Sequence, residues 1–501
     1  MHRPHHRLAL SLLLAMSGMP ALAATSVAAP SEDALAQRLT DTIALSEQGD
    51  SVGALIGFER VFNDPGLASL DAAQRLEGLV SAGRTAFNAR QPQEAQRYLD
   101  AALKQAPDDA RALYVLGRLK LLQDQPVLGA GLITRSLRAS DRFLADIDAP
   151  LVYRLGDALQ DQPDDYRALL EALFDRQWKV DGLEPTALWL TLATLQADAG
   201  QQQRLAATVM RIDAPIEVVA LRSDKRFDAV VDRRDPRFDP LQSARRHADA
   251  LRVSALLQPD ASDLAALTDT LLLLGEHAQV LTATDPLHAR LTETGATRSF
   301  PGGAYAAWVL LHRAVAQHRL GQDDQTEATL ELASTLTNEG DTVNPLHRLY
   351  LASWYLASAK PTRALQTLDG LDEAPMFGEY LRQWIRFSAY RTLGDTARSA
   401  QARQWLQSNQ DEGRSMYVDV LLAEQRTDEA ARWVIAELQS PRRRQDLLQL
   451  MQNFRMLPPM PADVDNDARW EALLKRPDVR AALEPVGRRE TLPIYGRGAW
   501  R

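Results

Sequence analysis

Histidines, paired carboxylates, tryptophans and arginine clusters are the groups with which this chain could do chemistry, because its 501 residues include no cysteine. That absence removes disulfides, thiolate nucleophiles, Cys-ligated zinc, iron–sulfur clusters and the lipid-bearing cysteine of a bacterial lipoprotein together. Of His247, His277, His288, His312, His318 and His347, only His312 and His318 lie close, six residues apart. On one helix that spacing points the rings about 120° apart, so they cannot share a metal as an i, i+4 pair does. Core or surface histidines are expected. Asp108-Asp109, Asp164-Asp165 and Asp323-Asp324 all fall at expected turns, where carboxylates cap helices. Trp308, Trp354, Trp384, Trp405 and Trp433 fall in phase with Leu and Ala, which suits filling space between helices; sugar stacking is the competing use. Arg222, Lys225, Arg226, Arg233, Arg234 and Arg237 are interleaved with Asp224, Asp228, Asp232 and Asp235, so an ion-paired surface is expected there. Arg442-Arg443-Arg444 reads as a solvated turn. No Gly-x-Ser-x-Gly elbow, Ser-x-x-Lys pair, phosphate-binding Gly-rich loop or His-Glu-x-x-His pair is present. The expectation is no catalytic residue, no metal, no cofactor and no enzymatic activity.

The elements that would position these groups are helices almost throughout. Leu76, Leu79, Val80, Gly83, Ala86 and Phe87 paint one helical face, and Ala95, Tyr98, Leu99, Ala102 and Leu103 paint another. Gln91-Pro92 breaks the first helix, and Pro92 opens the second, where a missing N–H costs little. Pro107-Asp108-Asp109 closes the hairpin and caps a third helix carrying Leu113, Leu116, Gly117 and Leu121. Residues 146–240 also read as helix pairs. They end in a tandem, Asp224-Lys225-Arg226-Phe227-Asp228 and Asp235-Pro236-Arg237-Phe238-Asp239, whose two Phe either share a helical face or seal two turns.

Residues 1–23 combine a basic start, an apolar stretch from Leu8 to Ala21 and a small-x-small end at Ala21-Leu22-Ala23. That order reads as a cleavable signal peptide, with the mature chain starting near Ala24. Losing Arg3 and Arg7 takes the formal charge from −9 to −11, which argues against nucleic acid and anionic membrane as partners. No later run approaches membrane length. A periplasmic or secreted protein is expected, not an integral membrane protein after cleavage.

Leu79 to Leu113 and Gly83 to Gly117 are both steps of 34 residues. The segment from Leu76 to Asp109 resembles the tetratricopeptide repeat family: Leu79, Ala82, Gly83 and Ala86 match its first helix, Ala95, Leu99 and Ala102 its second, and Pro107 its closing proline. Gly83 and Ala95 would sit where the two helices cross, letting the axes approach to roughly 8–10 Å. Leu274-Gly275, Leu320-Gly321 and Leu393-Gly394, with Ala359-Lys360-Pro361 between the second and third, mark looser copies. Lys120, Arg313 and Arg403 depart from the family's small or apolar positions. The Glu-Ser pair expected of superhelical lytic transglycosylases is missing.

The resemblance implies an all-α fold, a right-handed α-solenoid of such hairpins, with two arrays joined near 240–300 as one arrangement. The expected organisation is a signal peptide (1–23), an N-terminal array (24–145), a helical-hairpin region (146–240), a degenerate repeat and linker (241–300), a C-terminal array (301–440), and final helices and tail (441–501). Breaks are expected near 145, 240 and 288–303. The implied function is protein–protein interaction: a scaffold of the bacterial envelope that binds a partner protein or peptide along a concave groove. Its lining would be Glu77, Val80, Arg84, Phe87, Arg111, Tyr114, Arg118 and Leu121, a row of Arg beside aromatics suited to an extended peptide with carboxylates. The family's Lys-x-x-x-Asn clamp is not reproduced, since Val80 and Arg84 stand in its place. The alternatives are a non-catalytic subunit of a polysaccharide-export or secretion machine, with a glycan as partner, and an enzyme of unrecognised type.

Overall fold

The computed structural model describes residues 32–180, 182–257, 261–293, 303–336, 345–371, 376–498 and 500. The expected signal peptide, the mature start near Ala24 and Pro301-Gly302 of the expected break lie outside the described residues. The chain divides into two compact units, residues 1–145 and 146–501. Among the described residues the architecture is all-α, an α-solenoid of helices packed in chain order, with one short two-stranded parallel ladder added.

In the first unit three hairpins follow one another: α1 (Glu32–Glu47) with α2 (Ser51–Phe62), α3 (Ala72–Asn88) with α4 (Pro92–Gln105), and α5 (Ala110–Leu122) with α6 (Pro126–Ala139). The starts are written in the sequence. Asp71 accepts the Gln74 N–H at 2.7 Å while the Gln74 side chain returns to the Asp71 N–H at 3.0 Å, a reciprocal cap on α3. Asp109 caps α5 through the Arg111 and Ala112 amides, and Pro92 and Pro126 open α4 and α6. Small residues set the crossings. A Cβ on Gly83 would meet Leu99 Cγ at 2.6 Å, and one on Gly117 would meet Ile133 Cγ1 at 2.9 Å and the Gly129 carbonyl at 3.1 Å. First helices α1, α3 and α5 also pack on one another, which makes them a continuous layer.

In the second unit α7 (Ala149–Ala158) and α8 (Pro163–Asp175) precede the hairpin of α9 (Thr186–Asp198) with α10 (Gln202–Val209), then α11 (Pro215–Ser223) and α12 (Pro240–Leu257). Five hairpins follow: α13 (Ala261–Leu274) with α14 (His277–Glu293), α15 (Gly303–Arg319) with α16 (Asp323–Thr335), α17 (Pro345–Ala357) with α18 (Pro361–Thr367), α19 (Met376–Thr392) with α20 (Thr396–Ser408), and α21 (Gln410–Ala423) with α22 (Thr427–Gln439). First helices α13, α15, α17, α19 and α21 each touch the next, again a layer. The chain closes with α23 (Arg444–Leu450), β1 (Asn453–Arg455), α24 (Val464–Leu474), α25 (Pro477–Leu483) and β2 (Thr491–Tyr495), β2 pairing in parallel with β1.

Those last elements return to the start of the unit. Helix α23 packs on α11, the Arg488 amide donates to the Ser223 carbonyl at 2.9 Å, and the Lys225 amide donates to the Val486 carbonyl at 3.0 Å. Asp224, fully buried, receives Arg226 Nε at 2.7 Å and Arg444 Nε at 3.2 Å. The arginine triplet expected to be a solvated turn is therefore partly structural: Arg444 neutralises a buried carboxylate, and Arg443 reaches Glu437 at 3.1 Å. The Phe tandem seals two turns, with Phe227 and Phe238 both buried at the ends of short 3-10 turns.

One turn recurs at every hairpin. The first helix ends at a residue with φ between 56° and 87°, at Gly49, Arg90, Asp124, Gly200, Gly275, Gly321, Ala359, Gly394 and Gln425. The second helix begins two residues later in all nine. In each, the following amide donates to the carbonyl five residues back, from Asp50 to Leu45 through Arg426 to Leu421, at 2.8 to 3.1 Å. This is the Schellman closure, which satisfies carbonyls that the end of a helix would otherwise orphan. It explains the Leu-Gly pairs: glycine reaches the left-handed region at no steric cost, whereas other residues pay about 1 kcal/mol. Gly394 has open space around a would-be Cβ, but at Gly275 that atom would meet Tyr495 Cε2 at 2.7 Å. Gly394→Ala should therefore cost about 1 kcal/mol and Gly275→Ala distinctly more, measured as shifts in the urea midpoint. Equal costs would mean that Tyr495 does not sit on the α13/α14 turn.

Candidate functional site

The eight expected groove residues lie on α3 and α5 as four pairs one repeat apart. Glu77 and Arg111 form an ion pair, and Arg111 Nη2 also reaches Asp109 Oδ2 at 3.1 Å, so these charges are turned toward each other. Val80 and Tyr114 correct the expectation: they are 4% and 6% exposed and line no groove. Val80 belongs to the core with Ala86, Leu99 and Leu116. Tyr114 is stacked under Phe143, with ring centres 4.3 Å apart and planes 6° apart, and its hydroxyl accepts from Arg118 Nη1 at 3.0 Å. Helical phase finds the face a residue is on, but not what the chain beyond α6 lays over it. Arg84, Phe87, Arg118 and Leu121 stay half-buried. Arg84 has no hydrogen bond or ion pair among the described residues.

In the second unit the layer of first helices carries an extended piece of the chain's own sequence. Leu492 and Ile494 are buried against Val219 and Ala244. Tyr495 lies edge-on to His277, ring centres 5.1 Å apart, with the Arg319 guanidinium over its face at 4.8 Å. Arg319 Nη2 donates to the Gly496 carbonyl at 3.1 Å and to that of Gly498 at 3.4 Å, while Nη1 holds the Leu272 carbonyl. Arg497 pairs with Asp269 at 3.0 Å. Trp500 is 7% exposed, its ring centre 5.0 Å from that of Trp354, and its Nε1 donates to Ser353 Oγ at 3.1 Å. Sequence reasoning missed this seat. Its only signal is the run Tyr495-Gly496-Arg497-Gly498, too short to separate from any polar end.

Next to that segment is a cavity of about 600 Å³, lined by Ile216, Phe454 and Met456, by Asp419, Asp467 and Trp470, and by Gly496 to Gly498. Trp470 Nε1 and Asn466 Nδ2 both donate to Asp419 Oδ1, at 2.5 and 2.9 Å. No histidine lines it. His312 and His318 point to different partners, Thr268 and Asp323, each at 2.8 Å. Among the described residues no three His, Cys, Asp or Glu gather as a metal would require. Trp354 is buried, and Trp308, Trp384, Trp405 and Trp433 pack partly buried against the cores. Arg313 at its small-residue position donates to Thr284 and Asp285 on α14, so charge there is used as a bridge.

No protein-family profile matches the sequence, and no curated protein matches it. Among solved structures the chain is similar to one described as a circular tandem repeat protein with novel repeat topology and enhanced subunit contact surfaces. Identity is 13%, over 90% of this chain and 97% of that one, with a TM-score of 0.13. An overlap this low carries no argument about either chain's work.

Two buried histidines, His277 at the start of α14 and His347 on α17, make stability depend on pH. Burial pushes His347 down to about 4, with His312 nearby adding to the effect. Burial likewise holds His277 at about 4, helped by Arg319 and Arg455. A free histidine titrates near 6.5, so between pH 6.5 and 4 the unfolded chain takes up protons that the folded chain refuses. The stabilisation is fully present above about pH 6.5 and declines as pH falls to about 4, by up to about 3 kcal/mol for the deeply buried His347 and by less for His277, where solvent screens the ring. Urea midpoints should fall across that window, and His277→Phe, which keeps a ring but cannot be protonated, should flatten the slope. An unchanged slope would place His277 in water.

Proposed function

We propose that this chain is an exported, tetratricopeptide-like scaffold of the bacterial cell envelope. It holds a protein or peptide along a layer of first helices and does no chemistry of its own. One observation carries the reading: in the second unit that layer already holds an extended segment, through a carboxylate, a buried guanidinium and an aromatic slot spread over three successive first helices. A layer that seats one extended chain has the chemistry to seat another. In the first unit the corresponding layer offers Arg84, Phe87, Arg118 and Leu121, with Arg84 left to a partner's carboxylate. The tetratricopeptide assignment draws on the 34-residue step and the small crossing residues, and export draws on the basic, apolar and small-residue order of residues 1–23.

A second reading, a subunit of a polysaccharide-export or secretion machine, draws on the cavity beside Trp470, where an indole and carboxylates face one space as a sugar site requires.

The test is capture of partners from an envelope extract by the mature protein. Arg84→Glu should lose most of the captured protein with no change in melting temperature. Arg118→Glu should lose capture and also lower the melting temperature, because Arg118 holds the Tyr114 hydroxyl. Capture unaffected by Arg84→Glu, with a lowered melting temperature, would make the residue structural.

A further inference from the structure

Residues 496–498 and 500 cross three successive first helices, and each helix supplies a different kind of anchor. Helix α13 supplies Asp269, which takes the Arg497 guanidinium at 3.0 Å. Helix α15 supplies Arg319, only 9% exposed, whose acceptors include the Gly496 and Gly498 carbonyls. Helix α17 supplies the Trp354 face and the Ser353 hydroxyl, which together receive the Trp500 indole. Two of these contacts read side chains and one reads backbone, the combination by which a groove recognises an extended peptide. A buried guanidinium is costly to leave without acceptors, so the seat is built around an occupant. The segment adds little to the core beyond its indole: the apolar burial of Leu492 and Ile494 precedes Gly496, within β2.

We propose that α13, α15 and α17 form a peptide-binding site for an extended segment with an arginine three residues before a tryptophan. Residues 496–498 and 500 occupy it in cis, and the segment leaves when a partner peptide of the same pattern competes. The proposal rests on reading first-helix layers as peptide seats, but its test involves neither Arg84 nor Arg118. Failure here with capture through α3 and α5 intact would leave the scaffold reading standing.

The experiment uses a fluorescent, amino-terminally acetylated peptide of residues 491–501, titrated by anisotropy. The chain lacking 496–501 should bind it at least tenfold more tightly than the intact chain. A peptide carrying Trp500→Ala or Arg497→Glu should bind at least tenfold more weakly. If the truncated chain loses its helical circular dichroism, the full chain with Arg497→Ala and Trp500→Ala replaces it: the segment is present, its anchors are gone, and the same gain over the intact chain is expected. A folded variant that does not bind the peptide overturns the proposal, as does indifference to Trp500→Ala in the peptide or binding to the intact chain that matches the variant.

Discussion

A single backbone hydrogen bond, from the residue after each left-handed turn position back to the carbonyl five residues before it, governs the architecture. It closes each first helix, satisfies a carbonyl that would otherwise be orphaned, and fixes where the second helix starts. Because all nine hairpins use it, the hairpins share one internal geometry despite irregular spacing along the sequence. Small residues such as Gly83, Gly117 and Gly129 let the two helices of one hairpin approach, and first helices then meet first helices. A repeat protein holds together through such neighbour contacts, and the order of the layer follows from the order of the chain.

The second unit adds a different constraint. Its last elements return to its first, and the junction is electrostatic as well as apolar. Asp224, buried with two guanidinium groups on it, ties residues near 224 to those near 444, while Arg222 with Glu490 and Arg488 with Asp228 tie the same region to the strand end. Removing one partner of such a set leaves a buried charge unpaired, which costs far more than the pair contributes. This return is what brings residues 496–498 and 500 onto α13, α15 and α17. The first unit's described residues lay no comparable segment over Arg84, whereas Phe143 covers Tyr114 there.

Much of the fold was legible because glycine and proline punctuate it. The 34-residue step, the Pro92 start and the Leu-Gly pairs each correspond to a physical requirement of a turn or cap. Arg90, Asp124 and Gln425 occupy the same left-handed position without being glycine, so composition could not flag them, and Ala359 is marked only by Pro361 two residues on. Gly200 lies between two apolar-periodic runs that carry no consensus residues. Val80 and Tyr114 lie on the expected face, but burial depends on neighbours far along the chain. The Glu77–Arg111 pair did leave a signal, since opposite charges one repeat apart stand across adjacent first helices. The seat for residues 496–498 and 500 left almost none, because its anchors are scattered from Asp269 to Trp354.

Hydrogen exchange at the nine amides that follow the left-handed positions bears most directly on this account. Gln91, Gln125, Gln201, Glu276, Gln322, Lys360, Asp395 and Arg426, with Asp50, should exchange as slowly as the last turn of the helix each one closes. Exchange at the rate of an open loop in most of them would mean that the hairpins are not closed this way, and the layer of first helices would lose its basis.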